Sequence, residues 1–210
     1  MKAVLISIQP KWCELIASGK KTVEVRKTKP KLETPFKVYI YCTNTKTIGD
    51  FILCKSEENA KLFGYNTAKG INKGFAKNED IQLKGKVIGE FVCDYIDYVR
   101  NYGDMVDGYD CKASCLSANE IIEYAKDKNG NFIYTYGWHI SNLVIYDKPR
   151  ELSEFRTVCE GLKPYQCDKC EYSYTENTES GSYAECCCNN LKPLKRPPQS
   201  WCYVESEGGK

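Results

Sequence analysis

Six consecutive positions, Lys21-Thr22-Val23-Glu24-Val25-Arg26, hold an amine, a hydroxyl, a carboxylate and a guanidinium between two valines. Strict alternation of this kind is a strand with one polar face: Thr22, Glu24 and Arg26 point one way, Val23 and Val25 the other. A lysine and an arginine so placed can neutralise phosphate. Two opposite charges two residues apart can equally form a surface ion pair of little energetic weight. Upstream, Lys11-Trp12 sets a cation beside a large aromatic ring, which serves either a core or a stacking platform.

A second group of chemically capable residues lies late in the chain. Cys167-Asp168-Lys169-Cys170 is a CxxC knuckle, followed after a polar spacer by Cys186-Cys187-Cys188. A thiolate pair at that spacing suits tetrahedral zinc, which needs two further ligands. Cys159 and Cys188 are the expected partners of Cys167 and Cys170 in one structural zinc site. Cys186, Cys187 and Cys202 are the substitutes. Reduced thiols without metal are the alternative. A redox role has less support, because no thioredoxin-like βαβ unit surrounds the motif. The chain has 13 cysteines and one histidine, His139. A site built from two histidines is therefore impossible within one chain, which removes the commonest hydrolytic zinc centres and leaves Lys, Glu, Tyr and Cys to do any chemistry.

The elements that must position these residues are readable in outline. Residues 3–8 form a short buried strand. Pro10 suits the first turn of a helix whose apolar face carries Trp12, Leu15 and Ile16, and Gly19 ends it. The alternating segment at Lys21–Arg26 follows, and Phe36–Cys42 makes a third strand. Residues 43–82 are polar and rich in Gly, Asn and Lys, an insertion of loops with a short helix expected around Glu57–Phe63. Leu83–Val99 is a long strand or a bent pair, with Gly85 and Gly89 as turn or bulge points. Ser117-Ala118-Asn119-Glu120 is a capping box opening a second helix, Asn129-Gly130 a tight turn, and Ile140–Tyr146 another strand. The order is α+β, and its economical solution is a small closed or half-closed β-barrel with helices at its ends. A compositional boundary near Glu154 separates a domain of residues 1–154 from a Cys-rich extension, 155–210.

With 210 residues, 42% hydrophobic and 28% charged, the chain suits one domain plus an elaboration. No apolar run reaches the roughly 20 residues that span a bilayer, so no membrane partner is expected. The apolar stretch 3–8 is too short for a signal peptide, and a cytoplasmic location is expected. The net charge of +2 conceals a basic end. Nine Lys/Arg against three Asp/Glu occupy residues 1–40, while residues 90–127 carry nine acidic against three basic residues. Such a surplus can attract a phosphate backbone or be an ordinary solvated surface.

Ser7-Ile8-Gln9-Pro10-Lys11-Trp12, followed by the Gly19, Lys21, Glu24 and Arg26 of a G-x-K-x-x-E-x-R run, resembles the signature of ASCH domains, which are PUA-like β-barrels. Tyr136–Leu143 and Tyr146–Pro149 resemble a closing strand of that family, and the likeness covers roughly residues 2–150. It implies a cleft that holds RNA or a modified nucleoside, lined by Lys11, Trp12, Lys21, Thr22, Glu24, Arg26, Tyr41 and Trp138. There Glu24 would accept from an exocyclic amine and an aromatic ring would stack on a base. One branch of the family hydrolyses an acylated cytidine with a Lys, a Thr and a Glu. Its Lys falls on Lys21, its hydroxyl position is occupied here by Glu24, and its distant carboxylate falls on Glu120 or Glu123. Because Glu120 serves the capping box, Glu123 is the freer candidate beside Lys21 and Glu24 for a hydrolase or ribonuclease on this scaffold. The apolar end 196–204 resembles a C-terminal segment that packs back on the barrel in some relatives.

Overall fold

The computed structural model describes residues 2–44, 84–99, 105–158 and 193–206, together with the strand segments 52–53, 62–63, 81–82 and 101–102. Strand β1 (Lys2–Ile8) is buried along Ala3–Ile8 without alternation. Such a run belongs to a strand covered on both faces. Helix α1 (Pro10–Ala17) starts at a proline that needs no N–H partner there, and it buries Pro10, Cys13 and Ile16. Gly19 ends it with φ +71°, a left-handed conformation that costs glycine nothing. The main-chain N–H groups of Lys20 and Lys21 then both donate to Leu15 O at 2.9 Å, which turns the chain sharply into β2 (Val23–Arg26).

β3 (Phe36–Cys42) returns beside β1 in parallel. The insertion contributes β4 (Ile52–Leu53), β5 (Leu62–Phe63) and β6 (Ile81–Gln82), which pair only with one another. Leu62 and Phe63 are thus extended where a helix was expected; the rest of that expected helix lies outside the described residues. After the Gly85 turn (φ +79°) come β7 (Lys86–Cys93), β8 (Ile96–Tyr98), β9 (Asn101–Tyr102) and β10 (Met105–Val106). Helices α2 (Gly108–Ser114) and α3 (Ala118–Tyr124) precede β11 (Tyr136–His139), β12 (Ser141–Arg150) and β13 (Trp201–Glu205).

Two sheets carry the fold. The larger has the order β12-β7-β3-β1-β13, the smaller β2-β11-β8. Two ribbons pass from one to the other: β7 continues into β8 through Asp94-Tyr95, and β11 into β12 through Ile140. Among the described residues no ladder joins the sheets into a ring. Of the expected closed or half-closed barrel, the closed form is therefore corrected to a mixed α/β fold of two main sheets, whose ribbons bend between them, with three α-helices among the described residues. One face of the large sheet (Val4, Ile6, Val38, Ile40, Ile88, Phe91) packs with Cys13 and Ile16 of α1 and with Trp138 of the small sheet. The opposite face, with Leu5, Tyr39, Tyr41 and Val204, is covered by Phe155 and Leu194. Residues on both sides of the Cys-rich segment thus enter one core. Gly89 sits where β12 crosses β7: a Cβ there would run into the Val144 carbonyl and lie 3.1 Å from Ile145 Cα. Among the described residues no helix is long and apolar enough to cross a membrane.

Candidate functional site

Where the C-terminal ends of β1 and β2 approach α1 and α3, the surface opens into a cavity of about 670 Å³. Lys21, Glu24 and Arg26 converge in its wall. They get there for separate reasons. Lys21 leaves the tight exit of α1, and its Nζ donates to the Ser114 carbonyl at the end of α2, 2.7 Å away. Glu24 stands opposite the fully buried Trp138 in the β2–β11 ladder. Arg26, two residues on, shares that face and donates through Nη2 to Ser7 O at 2.7 Å.

The three heads form one charged unit. Glu24 Oε1 lies 2.9 Å from Arg26 Nη2 and Glu24 Oε2 3.3 Å from Lys21 Nζ. The side chains are 2%, 8% and 11% exposed for Lys21, Glu24 and Arg26. Charges this deep persist only when paired, because an uncompensated ion in a low-dielectric interior costs several kcal/mol. The pairing is nevertheless incomplete. Arg26 Nε and Thr43 Oγ1 are buried without a hydrogen-bond partner, and Glu24 Oε2 has only the 3.3 Å ion pair with Lys21; all three residues line this cavity. Buried polar atoms are otherwise nearly always satisfied, so the guanidinium and hydroxyl have hydrogen-bonding capacity in hand beside the cavity.

Aromatic walls flank this polar floor. Trp12 is half-buried, with Lys21 Nζ 5.2 Å and Lys11 Nζ 4.4 Å from its ring centroid. Tyr124, at the end of α3, also lines the cavity, and Lys27 Nζ lies 5.2 Å from its centroid. Burial pushes the Tyr124 hydroxyl above its ordinary range, against the opposing effect of the Arg26 guanidinium. Glu120 closes the rim, its carboxylate held below the usual range by the hydrogen bonds it accepts from Ser117 N and Oγ, each 2.8 Å. Pro197-Pro198-Gln199 completes the wall. This segment is fastened by Ser7 Oγ donating to Pro198 O at 2.7 Å and Ser7 N to Ser200 O at 2.9 Å.

The other residues expected at a ligand site are placed elsewhere. Thr22 precedes β2 and is exposed outside the cavity, its main chain bonded to Ala113 and Ile140. Lys11 does not line the cavity; its Nζ lies over the Trp12 ring and its charge acts on Glu120. Tyr41 is on the far face of the large sheet, in the second core. Trp138 is fully buried, edge-on to Phe36 at 6.0 Å. Both are held there by strand alternation, which sends their rings into cores. Glu123 lies outside the cavity, exposed and paired with Lys126 at 2.5 Å, whereas Glu120, its neighbour one turn earlier, faces the cavity. Cys159, Cys167, Cys170, Cys186, Cys187 and Cys188 lie outside the described residues. Cys202 is in β13, where burial pushes its thiol up to about 11. Among the described residues no three His, Cys, Asp or Glu side chains gather to hold a metal.

Tyr124 was not legible as a site residue, whereas the 196–204 end, expected from the resemblance to pack back on the barrel, brings Pro197, Pro198 and Gln199 to the cavity. Tyr124 stands four residues after Glu120, one turn along the same face, and that spacing was the available signal. The proline pair is brought in by long-range pairing of β13 with β1, which no local pattern announces.

With this geometry in hand, a family model described as the ASCH domain matches residues 6–142. Among solved structures, the ASCH protein of Zymomonas mobilis is similar at 17% identity. Its tyrosine-to-phenylalanine variant covers 72% of this chain and 77% of its own, with a TM-score of 0.41. The unsubstituted protein covers 73% and 71%, with a TM-score of 0.38. No curated protein matches the chain.

Proposed function

The chain belongs to the ASCH domain family, and on that premise we propose that its cavity binds a nucleotide unit of RNA, or a modified nucleoside. The observation that carries the proposal is the buried Glu24–Arg26 pair, with Arg26 Nε lacking a hydrogen-bond partner and Glu24 Oε2 held only by the Lys21 ion pair, in the lining of a cavity walled by Trp12 and Tyr124. A nucleobase offers what this arrangement lacks: exocyclic N–H groups for the carboxylate, carbonyl or ring-nitrogen acceptors for the guanidinium, and a flat face for the rings. Lys21 contributes as a fixed charge that holds Glu24 in place, since its Nζ is already committed to Ser114 O and to the carboxylate.

The alternative, hydrolysis of an acylated nucleobase or of RNA, would draw on Lys21, Glu24 and a distant carboxylate. Lys21 Nζ is already held by Ser114 O and by Glu24, and of the two carboxylates considered for the distant role only Glu120, itself bound to Ser117, borders the cavity. Binding is therefore the reading the geometry favours.

Fluorescence titration of a labelled single-stranded RNA tests it. Affinity should fall as salt rises, and Arg26→Ala and Trp12→Ala should each weaken it at least about fivefold, the lower end of a stacked or charge-assisted contact. Binding indifferent to both substitutions would refute the assignment. Incubation of the protein with RNA and acylated nucleosides, followed by product analysis, separates binding from turnover.

A further inference from the structure

Beyond the cavity, the small sheet carries a row of side chains that the cavity does not use. In the ladder Arg26 stands opposite Tyr136, and Tyr136 opposite Tyr98. Strands lie roughly 4.8 Å apart, so these three side chains follow one another across the sheet in steps of that size, starting from the cavity wall. Tyr98 is 51% exposed and Tyr134, beside it, 79%. The Tyr98 ring lies 5.2 Å from Tyr136 at 38° and 5.6 Å from Tyr134 at 66°. Large aromatic rings grouped in solvent cost free energy unless something covers them.

The charges around the row say what would cover it. Lys29 Nζ lies 5.4 Å from the Tyr136 centroid, with Lys31 two residues further along the chain, whereas Arg26 and Lys27 are already held by Glu24 and by Lys126 O. At its far edge the row changes character. Tyr98 also borders a cavity of about 180 Å³ lined by Asp97, Asp107 and Asp110 beside Tyr95 and Tyr109. A polyanion is drawn to the Lys29 side of the row and repelled from its Asp97 side.

We infer that Tyr98, Tyr134 and Tyr136, flanked by Lys29, form a stacking platform for the nucleotides of single-stranded RNA adjoining the one held in the cavity. The inference rests on the RNA reading of that cavity. The platform uses what every base presents, a flat π-face, and a phosphate chain running over lysines, so it adds affinity for length with little preference for sequence. It also makes the protein a reader of strands several nucleotides long, with one base inserted and its neighbours stacked outside.

The test is titration of the full chain with fluorescein-labelled octauridylate. Tyr98→Ala with Tyr134→Ala should weaken binding about fivefold or more, and Tyr98→Phe with Tyr134→Phe should preserve it, because the ring and not the hydroxyl stacks. Tyr109→Ala removes a ring that is 63% exposed but lies on the acidic face, and should leave affinity unchanged. If the double alanine variant loses its folded circular dichroism, Tyr134→Ala alone replaces it. Unchanged affinity in the alanine variant, with Arg26→Ala still weakening binding, overturns the platform and leaves the cavity reading intact. Equal losses in the alanine and phenylalanine variants also overturn it. No octauridylate binding by the wild type, or no effect of Arg26→Ala, removes the cavity reading and the platform together.

Discussion

Glu24→Gln is the substitution that most sharply separates the charged unit's structural load from its use. In the wild type one carboxylate serves two cations whose side chains are only 2% and 11% exposed. Glutamine keeps the size and one acceptor oxygen but removes the charge, leaving two like charges facing each other in a poorly solvated wall. Removing one member of a buried ionic set costs about 3–5 kcal/mol. Lys21 keeps its bond to Ser114 O and Arg26 its bond to Ser7 O, which sets the expected loss near the lower end, about 3 kcal/mol. For a chain of this length each kcal/mol moves the melting temperature by about 2–4 °C, so a drop of about 6–12 °C is expected. Thermal unfolding followed by circular dichroism reads it. The companion variant, Lys21→Met, Glu24→Met and Arg26→Met together, replaces the whole unit with apolar side chains of similar length. It should regain most of the lost stability while failing to bind RNA. A melting temperature within about 2 °C of wild type for Glu24→Gln would show that the carboxylate is not neutralising two buried cations, and the reasoning about the site would fail with it.

Other expectations follow from the same contacts. Gly89→Ala puts a Cβ against the main chain of Val144 and Ile145, where only backbone movement can give way; chemical denaturation should show a loss of about 1–3 kcal/mol. Ser117→Ala removes the bond its Oγ donates to the Glu120 carboxylate and the one Oγ accepts from Glu120 N, while the Ser117 main-chain N–H still donates, costing about 1 kcal/mol of helix capping. Because the Glu120 carboxyl is lowered in the folded state, the Oγ–carboxylate contribution is present above roughly pH 4.3 and is lost as pH falls through the folded value. The gap between wild-type and Ser117→Ala stabilities should therefore be wider at neutral pH than in acid. Burial raises the Cys93 thiol to about 12 and the Cys202 thiol to about 11, so both should resist a thiol reagent at pH 8 until the protein is unfolded. Cys159, Cys167, Cys170 and Cys188 are expected to hold about one equivalent of zinc by elemental analysis, and less than half an equivalent with all four freely titratable would exclude the site.

How much of this was legible in the chain depends on whether the deciding contact was local. Phe36–Cys42 stands as read, since apolar β-branched and aromatic residues between turn residues specify a buried strand. The capping box at Ser117–Glu120 was equally visible, and both of its hydrogen bonds are present. Helix α2 went unread because Gly108, Tyr109, Asp110 and Cys111 are weak helix formers; the Asp107 carboxylate that accepts from Tyr109 N at 2.8 Å starts it. β11 was legible only through the family resemblance of Tyr136–Leu143, because Gly137, whose missing Cβ leaves room for Val23, interrupts the local strand pattern. At the site, the spacing of Lys21, Glu24 and Arg26 indicated a shared location, but not that the unit would be buried. That depends on Trp138 opposite Glu24, on the Ser114 carbonyl beside Lys21, and on a proline pair drawn in from the far end of the chain. Trp12 and Trp138 looked alike in sequence. Only tertiary packing assigns the first to the cavity wall and the second to the core.

The most direct test of the central claim is photo-crosslinking of a 4-thiouridine-containing single-stranded RNA to the full-length protein, with adducts located by mass spectrometry. Adducts on Trp12 and Tyr124, lost when Arg26→Ala weakens binding, are the predicted result. Adducts confined to the acidic face around Asp107 and Tyr109, or none at saturating RNA, would contradict it.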